Sequence, residues 1–160
     1  MIEHGRRIAI AAVAAGLALA AGSATAGATP SSAAATVKFR NQGSNHCLDS
    51  NSGGDVYSIA CNAGDYQRWI IEPGIKPGWY FLRNKKTGRY LEKRGLGPNE
   101  VVTRPKSPKF VNQNWLIENN TIRSATNKNP TLYDEKGTKD IRVTRGSVNP
   151  PAYGKWSQIG

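Results

Sequence analysis

Asp49 lies two residues after Cys47, and Gln67 lies two before Trp69. Further along, Glu92 and the pair Asn112-Gln113, again just ahead of a tryptophan, Trp115, repeat the combination. A carboxylate accepts hydrogen bonds from two neighbouring hydroxyls, a side-chain amide completes the fan, and a tyrosine face takes the C–H side of a ring. Such a set recognises polyhydroxylated ligands without reacting with them. Tyr57 and Tyr66 are the aromatic candidates beside the first set. Arg89, Arg94 and Arg104 offer a second chemistry, because planar guanidinium forks suit carboxylate, sulfate or phosphate. Plainer roles compete for the same residues: Asp49 can cap a turn, strand-end Gln67 and Gln113 can satisfy buried backbone groups, and the arginines can form a solvated face.

The N-terminal segment reads as an export signal. Arg6 and Arg7 precede an almost wholly apolar run from Ile8 to Ala21, and Ala24-Thr25-Ala26 is a small-x-small cleavage site. The run is shorter than the roughly 20 residues that span a bilayer. Residues 1–26 are therefore expected to be a signal peptide, 27–36 a disordered Pro/Ser/Ala-rich tail, and 37–160 one secreted, extracellular domain with no membrane span. In that compartment Cys47 and Cys61 are expected to form a disulfide, whose short loop contributes about 3 kcal/mol.

Catalysis and cofactors find little support. His46 is the sole histidine after the signal, which disfavours a Ser/His/Asp relay, and pairing of both cysteines removes a Cys nucleophile. There is no Gly-rich phosphate loop, and a metal would have only His46 beside the cysteines. No enzyme activity, cofactor or metal is expected. The chain carries 22 basic and 11 acidic residues, a net charge of +11, and loss of Arg6, Arg7 and Glu3 leaves it almost as basic. Arg83, Lys85, Lys86, Arg89, Lys93, Arg94, Arg104, Lys106 and Lys109 crowd its middle third. Such a surface attracts polyanions, although export argues against nucleic acid as a partner.

The elements that must position these residues are short strands. Val37-Lys38-Phe39, Val56 to Ile59, Trp79 to Leu82 and Val101 to Thr103 lie between Gly, Pro and Asn clusters, and no stretch keeps a helical period. Phe39-Arg40-Asn41 with Cys47-Leu48-Asp49 recurs as Leu82-Arg83-Asn84 with Tyr90-Leu91-Glu92, at an offset of 43. Val102-Thr103-Arg104 with Trp115 recurs as Val143-Thr144-Arg145 with Trp156, at an offset of 41. Three units of this length are too few for a propeller, which needs about four to eight blades. They suit an all-β trefoil of three four-stranded lobes with pseudo-threefold symmetry, in which Leu48, Leu91 and Leu132 face the core beside Trp69, Trp115 and Trp156.

Cys47-Leu48-Asp49, Cys61 and Gln67-Arg68-Trp69 resemble one lobe of the ricin B-type β-trefoil lectins, carbohydrate-binding modules that bacteria secrete alone or attached to hydrolases. The resemblance extends over 37–160. It implies a sugar-binding carboxylate after the first Cys, an aromatic two residues before the second, and Asn-Gln opening the Gln-x-Trp. In the first lobe Asp49 and Gln67 match, but Ile59 stands at the aromatic position and Tyr66 at the Asn position, so Tyr57 or Tyr66 would have to supply a displaced platform. The second lobe matches through Glu92, Asn112 and Gln113. Tyr90 and Lys106 replace its cysteines there and Arg104 its aromatic, which suits an anionic ligand together with Arg89 and Arg94. In the third, Asp134 follows Leu132-Tyr133 and Gly154 replaces the Gln, so that lobe is expected to be structural. The resemblance thus implies a non-catalytic lectin-like module acting mainly through its first lobe. The alternatives are a protein-interaction or inhibitor trefoil whose sugar sites have decayed, with a protein target, or an anionic-glycan binder acting through the basic middle lobe.

Overall fold

Period-two alternation sends Leu48, Leu91 and Leu132 to one face of their strands, and all three are completely buried. Each accepts a hydrogen bond on its backbone carbonyl from an indole N–H: Trp69 to Leu48 at 3.0 Å, Trp115 to Leu91 at 2.9 Å and Trp156 to Leu132 at 3.0 Å. Buried indole N–H groups need such acceptors. These three bonds relate three copies of one unit.

The computed structural model describes residues 34–95, 100–107, 111–126, 129–135, 141–144 and 151–160. The expected signal peptide, most of the expected tail, Lys109 and Arg145 lie outside the described residues. The first lobe comprises β1 (Ala35–Asn41), β2 (His46–Ser50), β3 (Val56–Ala60) and β4 (Trp69–Pro73). The second comprises β5 (Trp79–Asn84), β6 (Tyr90–Lys93), β7 (Val101–Arg104) and β8 (Trp115–Glu118). The third comprises β9 (Thr121–Ser124), β10 (Thr131–Asp134), β11 (Ile141–Thr144) and β12 (Trp156–Ile159). A short 3₁₀ turn precedes the last strand of each lobe, at Asp65–Gln67, Val111–Gln113 and Ala152–Gly154. Strand pairing begins at Ala35, opposite Ile71, so β1 takes in the last two residues of the expected tail.

Antiparallel pairing runs from β12 through β1, β4, β5 and β8 to β9, and the hairpins β2–β3, β6–β7 and β10–β11 are each attached to the first strand of their lobe. Twelve core residues fall into four layers of three: Phe39, Leu82 and Ile122; Leu48, Leu91 and Leu132; Val56, Val101 and Ile141; Trp69, Trp115 and Trp156. The fold is a β-trefoil. Polar bonds also stitch the hairpins across lobes, with Ser50 and Thr103 hydroxyls 2.8 Å apart and the Ser58 hydroxyl donating to the buried Asp134 carboxylate at 2.9 Å.

A charged knot joins the first two lobes. Glu72 on β4 accepts from Arg83 Nε at 2.6 Å, from the Tyr90 hydroxyl at 3.1 Å and from Lys106 Nζ at 3.4 Å. Burial alone would raise the Glu72 carboxyl, but these three donors outweigh it and hold it below the usual carboxylate range. Lys106 also lies over the rings of Phe81, at 4.7 Å, and Tyr90, at 5.1 Å. The pair Tyr90 and Lys106 thus occupies in the second lobe the place that the Cys47–Cys61 disulfide fills in the first. Glu72→Gln should lower unfolding free energy at pH 7 by about 1–3 kcal/mol. Because the folded carboxyl titrates below its unfolded value of about 4.3, the stabilisation is present above that pH and lost as pH falls through the folded value. Urea unfolding at pH 7 and in acid should therefore show the gap between parent and variant closing on acidification.

Candidate ligand-binding site

The first-lobe hairpin is pinned by the Cys47–Cys61 disulfide, S–S 2.07 Å. Its register sets Asp49 opposite Tyr57 and Cys47 opposite Ile59, so all four project from the face opposite Leu48. Asp49 is only 3% exposed, and its Oδ1 is buried without a hydrogen-bond partner. Burial first, and then the charge and hydrogen-bonding of Asp49, with smaller contributions from Asp55 and Tyr66, push the Tyr57 hydroxyl above its ordinary value. Tyr57 is therefore a protonated donor at neutral pH. Asp49, Tyr57, Asp55 and Tyr66 form one electrostatic neighbourhood.

Tyr66 rides on the 3₁₀ turn Asp65–Gln67. Its carbonyl accepts from Asn84 Nδ2 at 2.7 Å, which fixes the turn to the second lobe. Lys86 Nζ lies 6.0 Å from the Tyr66 ring centre. Ile59 pairs with Cys47 across the hairpin, so the aromatic candidates beside Asp49 are Tyr57 and Tyr66.

The two glutamines have other work. Gln67 is fully buried, accepts from Asn62 N–H at 2.8 Å and donates to Ala60 O at 3.1 Å. Gln113 repeats this, accepting from Ser107 N–H at 2.7 Å and donating to Pro105 O at 2.9 Å. Both close the loop before the 3₁₀ turn of their lobe. Gln113 Nε2 also donates to Glu92 Oε2 at 2.9 Å, so it orients the second lobe's carboxylate. Asn112 is half-buried on the same turn.

In the third lobe the Trp156 bond to Leu132 places Tyr133, not Asp134, at the position of Asp49 and Glu92. Asp134 is one residue on, fully buried, and bonded to the Ser44 and Ser58 hydroxyls. It is a structural carboxylate. Tyr133 instead meets Tyr153 edge-on, ring centres 6.3 Å apart.

The basic run divides. Arg83 and Lys106 belong to Glu72, and Lys85 lies 3.1 Å from Asp65. Arg89, Arg94 and Arg104 converge on one cleft of about 320 Å³ at the seam between the first two lobes, walled on the other side by Gly53, Gly54 and Asp55. Gly54 O accepts from Thr103 N–H at 2.7 Å, and Arg89 Nη1 donates to Ser52 O at 2.9 Å. Arg104 lies 3.9 Å from Glu92, at the limit of an ion pair. Sequence reasoning named the three arginines but missed the opposite wall, for which Gly53-Gly54 carried only a turn signal. Among the described residues no cluster of three or more His, Cys, Asp or Glu is placed to hold a metal, and no helix is long and apolar enough to cross a membrane.

No family model and no curated protein matches the chain. Solved structures do match. The designed threefold-symmetric protein ThreeFoil aligns over 78% of this chain and 98% of its own, with a TM-score of 0.63 and 18% identity. PSL1a, solved in complex with E64, aligns over 79% of this chain and 47% of its own, with a TM-score of 0.68 and 17% identity. The GlcNAcα1-4Gal-releasing endo-β-galactosidase of Clostridium perfringens aligns over 78% and 32%, with a TM-score of 0.68 and 14% identity. The chain thus spans less than half of the latter two proteins. These likenesses establish the trefoil.

Gly54 is where the seam is most sensitive to substitution. Its φ is +101°, and an added Cβ would stand 2.7 Å from Thr103 O and 3.0 Å from Arg89 Nη1. Gly54→Ala should cost about 1–3 kcal/mol through strain and separation of the lobes, read as a lower midpoint in thermal or urea unfolding, whereas Gly88→Ala, with open space around it, should cost less despite a φ of +70°.

Proposed function

We propose that this protein is a secreted, non-catalytic carbohydrate-binding module whose main ligand surface is the Asp49, Tyr57 and Tyr66 face of the first lobe. The observation that carries this reading is the buried Asp49 carboxylate, which is coupled to the Tyr57 hydroxyl but whose Oδ1 has no hydrogen-bond partner. An unsatisfied buried acceptor costs about 1–3 kcal/mol, more when charged, and calls for a reason. A sugar hydroxyl would supply the missing donor, while Tyr57 and Tyr66 offer apolar faces at little entropic cost. Glu92, oriented by Gln113 and close to Asn112, provides a second, weaker carboxylate on the next lobe.

The export signal in the sequence supports secretion, and the scarcity of a general base supports a binding rather than catalytic role. Coarse support comes from the company the fold keeps, since one structural neighbour is an endo-β-galactosidase of which the trefoil forms a part.

A glycan array probed with the mature protein, followed by titration of the best neutral ligand, tests the reading. Asp49→Asn should weaken binding on the order of tenfold or more, and Tyr66→Ala by about two- to tenfold, with unchanged circular dichroism. Silence across neutral and acidic glycans from a folded protein would sink this function and leave protein recognition in its place.

A further inference from the structure

Arg89 lines two adjoining recesses. One is the seam cleft of about 320 Å³ that it shares with Arg94 and Arg104, and the other is a shallower recess of about 420 Å³ that it shares with Ser52, Tyr66, Lys86 and Thr87. The second is the flank of the proposed sugar face. Arg89 is the lining residue that the two recesses share.

Within the basic run, these arginines differ from their neighbours in what they face. Arg83, Lys106 and Lys85 each hold a carboxylate. Among the described residues, Arg89 and Arg94 make no ion pair, and the Arg104 contact to Glu92 is long and more than half exposed on the arginine side. Among the described residues Asp55 is the only carboxylate lining the cleft, and its Oδ2 already accepts from Asn51 Nδ2 at 2.9 Å. Among the described residues, three guanidiniums share this polar recess with one lining carboxylate, so positive charge is in excess there.

The geometry is held by backbone rather than by mobile side chains alone. The Ser52–Asp55 turn is bonded to β7 through Gly54 and Thr103, and through a bridge between Asp55 and Val102. The Arg89 fork is anchored by Ser52 O, which leaves its remaining N–H groups for a ligand.

We infer that the Arg89, Arg94 and Arg104 cleft is an anion subsite of the same ligand surface, and that the preferred ligand is an acidic glycan. A neutral ring occupies the Tyr57 and Tyr66 face, and a carboxylate or sulfate on an adjoining residue sits in the cleft, with Lys86 beside the path. This rests on the reading of the first lobe as a sugar-binding face.

The test compares a uronic-acid oligosaccharide, its carboxyl-reduced neutral counterpart and a sulfated oligosaccharide by calorimetric titration at low and moderate salt, with single-stranded DNA of similar charge and inorganic sulfate as further arms. The acidic ligands should bind at least tenfold more tightly than the neutral one, and sulfate alone weakly. Arg104→Gln, at an exposed position, should remove most of that difference and spare neutral binding; Arg89→Gln should also remove most of it, and Arg89→Lys should restore only part of it. Lys155→Gln on the third lobe, with the same charge change, should keep it. Equal affinity for acidic and neutral ligands would overturn the inference while leaving the carbohydrate reading intact. So would equal losses in Lys155→Gln and Arg89→Gln, or DNA binding as tight as that of the acidic glycan and equally sensitive to the arginines. Acidic binding that needs the arginines but ignores Tyr66→Ala and Asp49→Asn would overturn the shared surface and the carbohydrate face, keeping only an anion site. No binding by any ligand would overturn both.

Discussion

Three indole N–H groups bonded to three leucine carbonyls set the register of everything else in this trefoil. Each bond ties the last strand of a lobe to its second strand, and each joins two completely or almost completely buried residues. Losing one leaves a carbonyl and a void in the same place, so the cost combines an unmet hydrogen bond with a cavity. With the twelve apolar side chains layered in threes around the axis, the hairpins have one way to point, and the outward faces of β2, β6 and β10 become free to differ.

They differ in a graded manner. The first lobe uses a covalent pin, Cys47–Cys61, and keeps a buried carboxylate, Asp49, opposite Tyr57. The second replaces the pin with Lys106 between Tyr90, Phe81 and Glu72, a set that also fastens β4 to the neighbouring lobe. The third sets Tyr133 against Tyr153 and turns its carboxylate inward, where Asp134 joins the Ser44 and Ser58 hydroxyls. Symmetry is thus maintained by the core and spent at the surface. The chemically richest place is no single lobe but the seam of the first two, where Tyr66, Lys86 and the three arginines lie along one path.

The fold was legible because core positions repeat. Tryptophans at 69, 115 and 156, with leucines at 48, 91 and 132, carry the period directly. Period two places Tyr57 on the face of Asp49 and was legible, whereas the position of Tyr66 depends on a 3₁₀ turn held by Asn84 from another lobe. Asp134 misled because a one-residue step reverses the face of a strand, and only the Trp156 bond fixes which residue corresponds to Asp49. The glutamines and the arginines show the same gap. A Gln-x-Trp pattern does not say that the amide's partners are Ala60 O and Asn62 N–H, and the spacing of Arg89, Arg94 and Arg104 does not say that residues 53–55 face them.

If one continuous surface at the seam of the first two lobes receives the ligand, its backbone amides must respond together. Amide chemical-shift mapping of the ¹⁵N-labelled protein during titration with an acidic oligosaccharide tests it most directly. Shifts should concentrate at residues 49–57, 65–67, 86–89 and 102–105, with the third lobe silent. Shifts centred on Tyr133 and Tyr153, or scattered over basic residues of all three lobes, would contradict it.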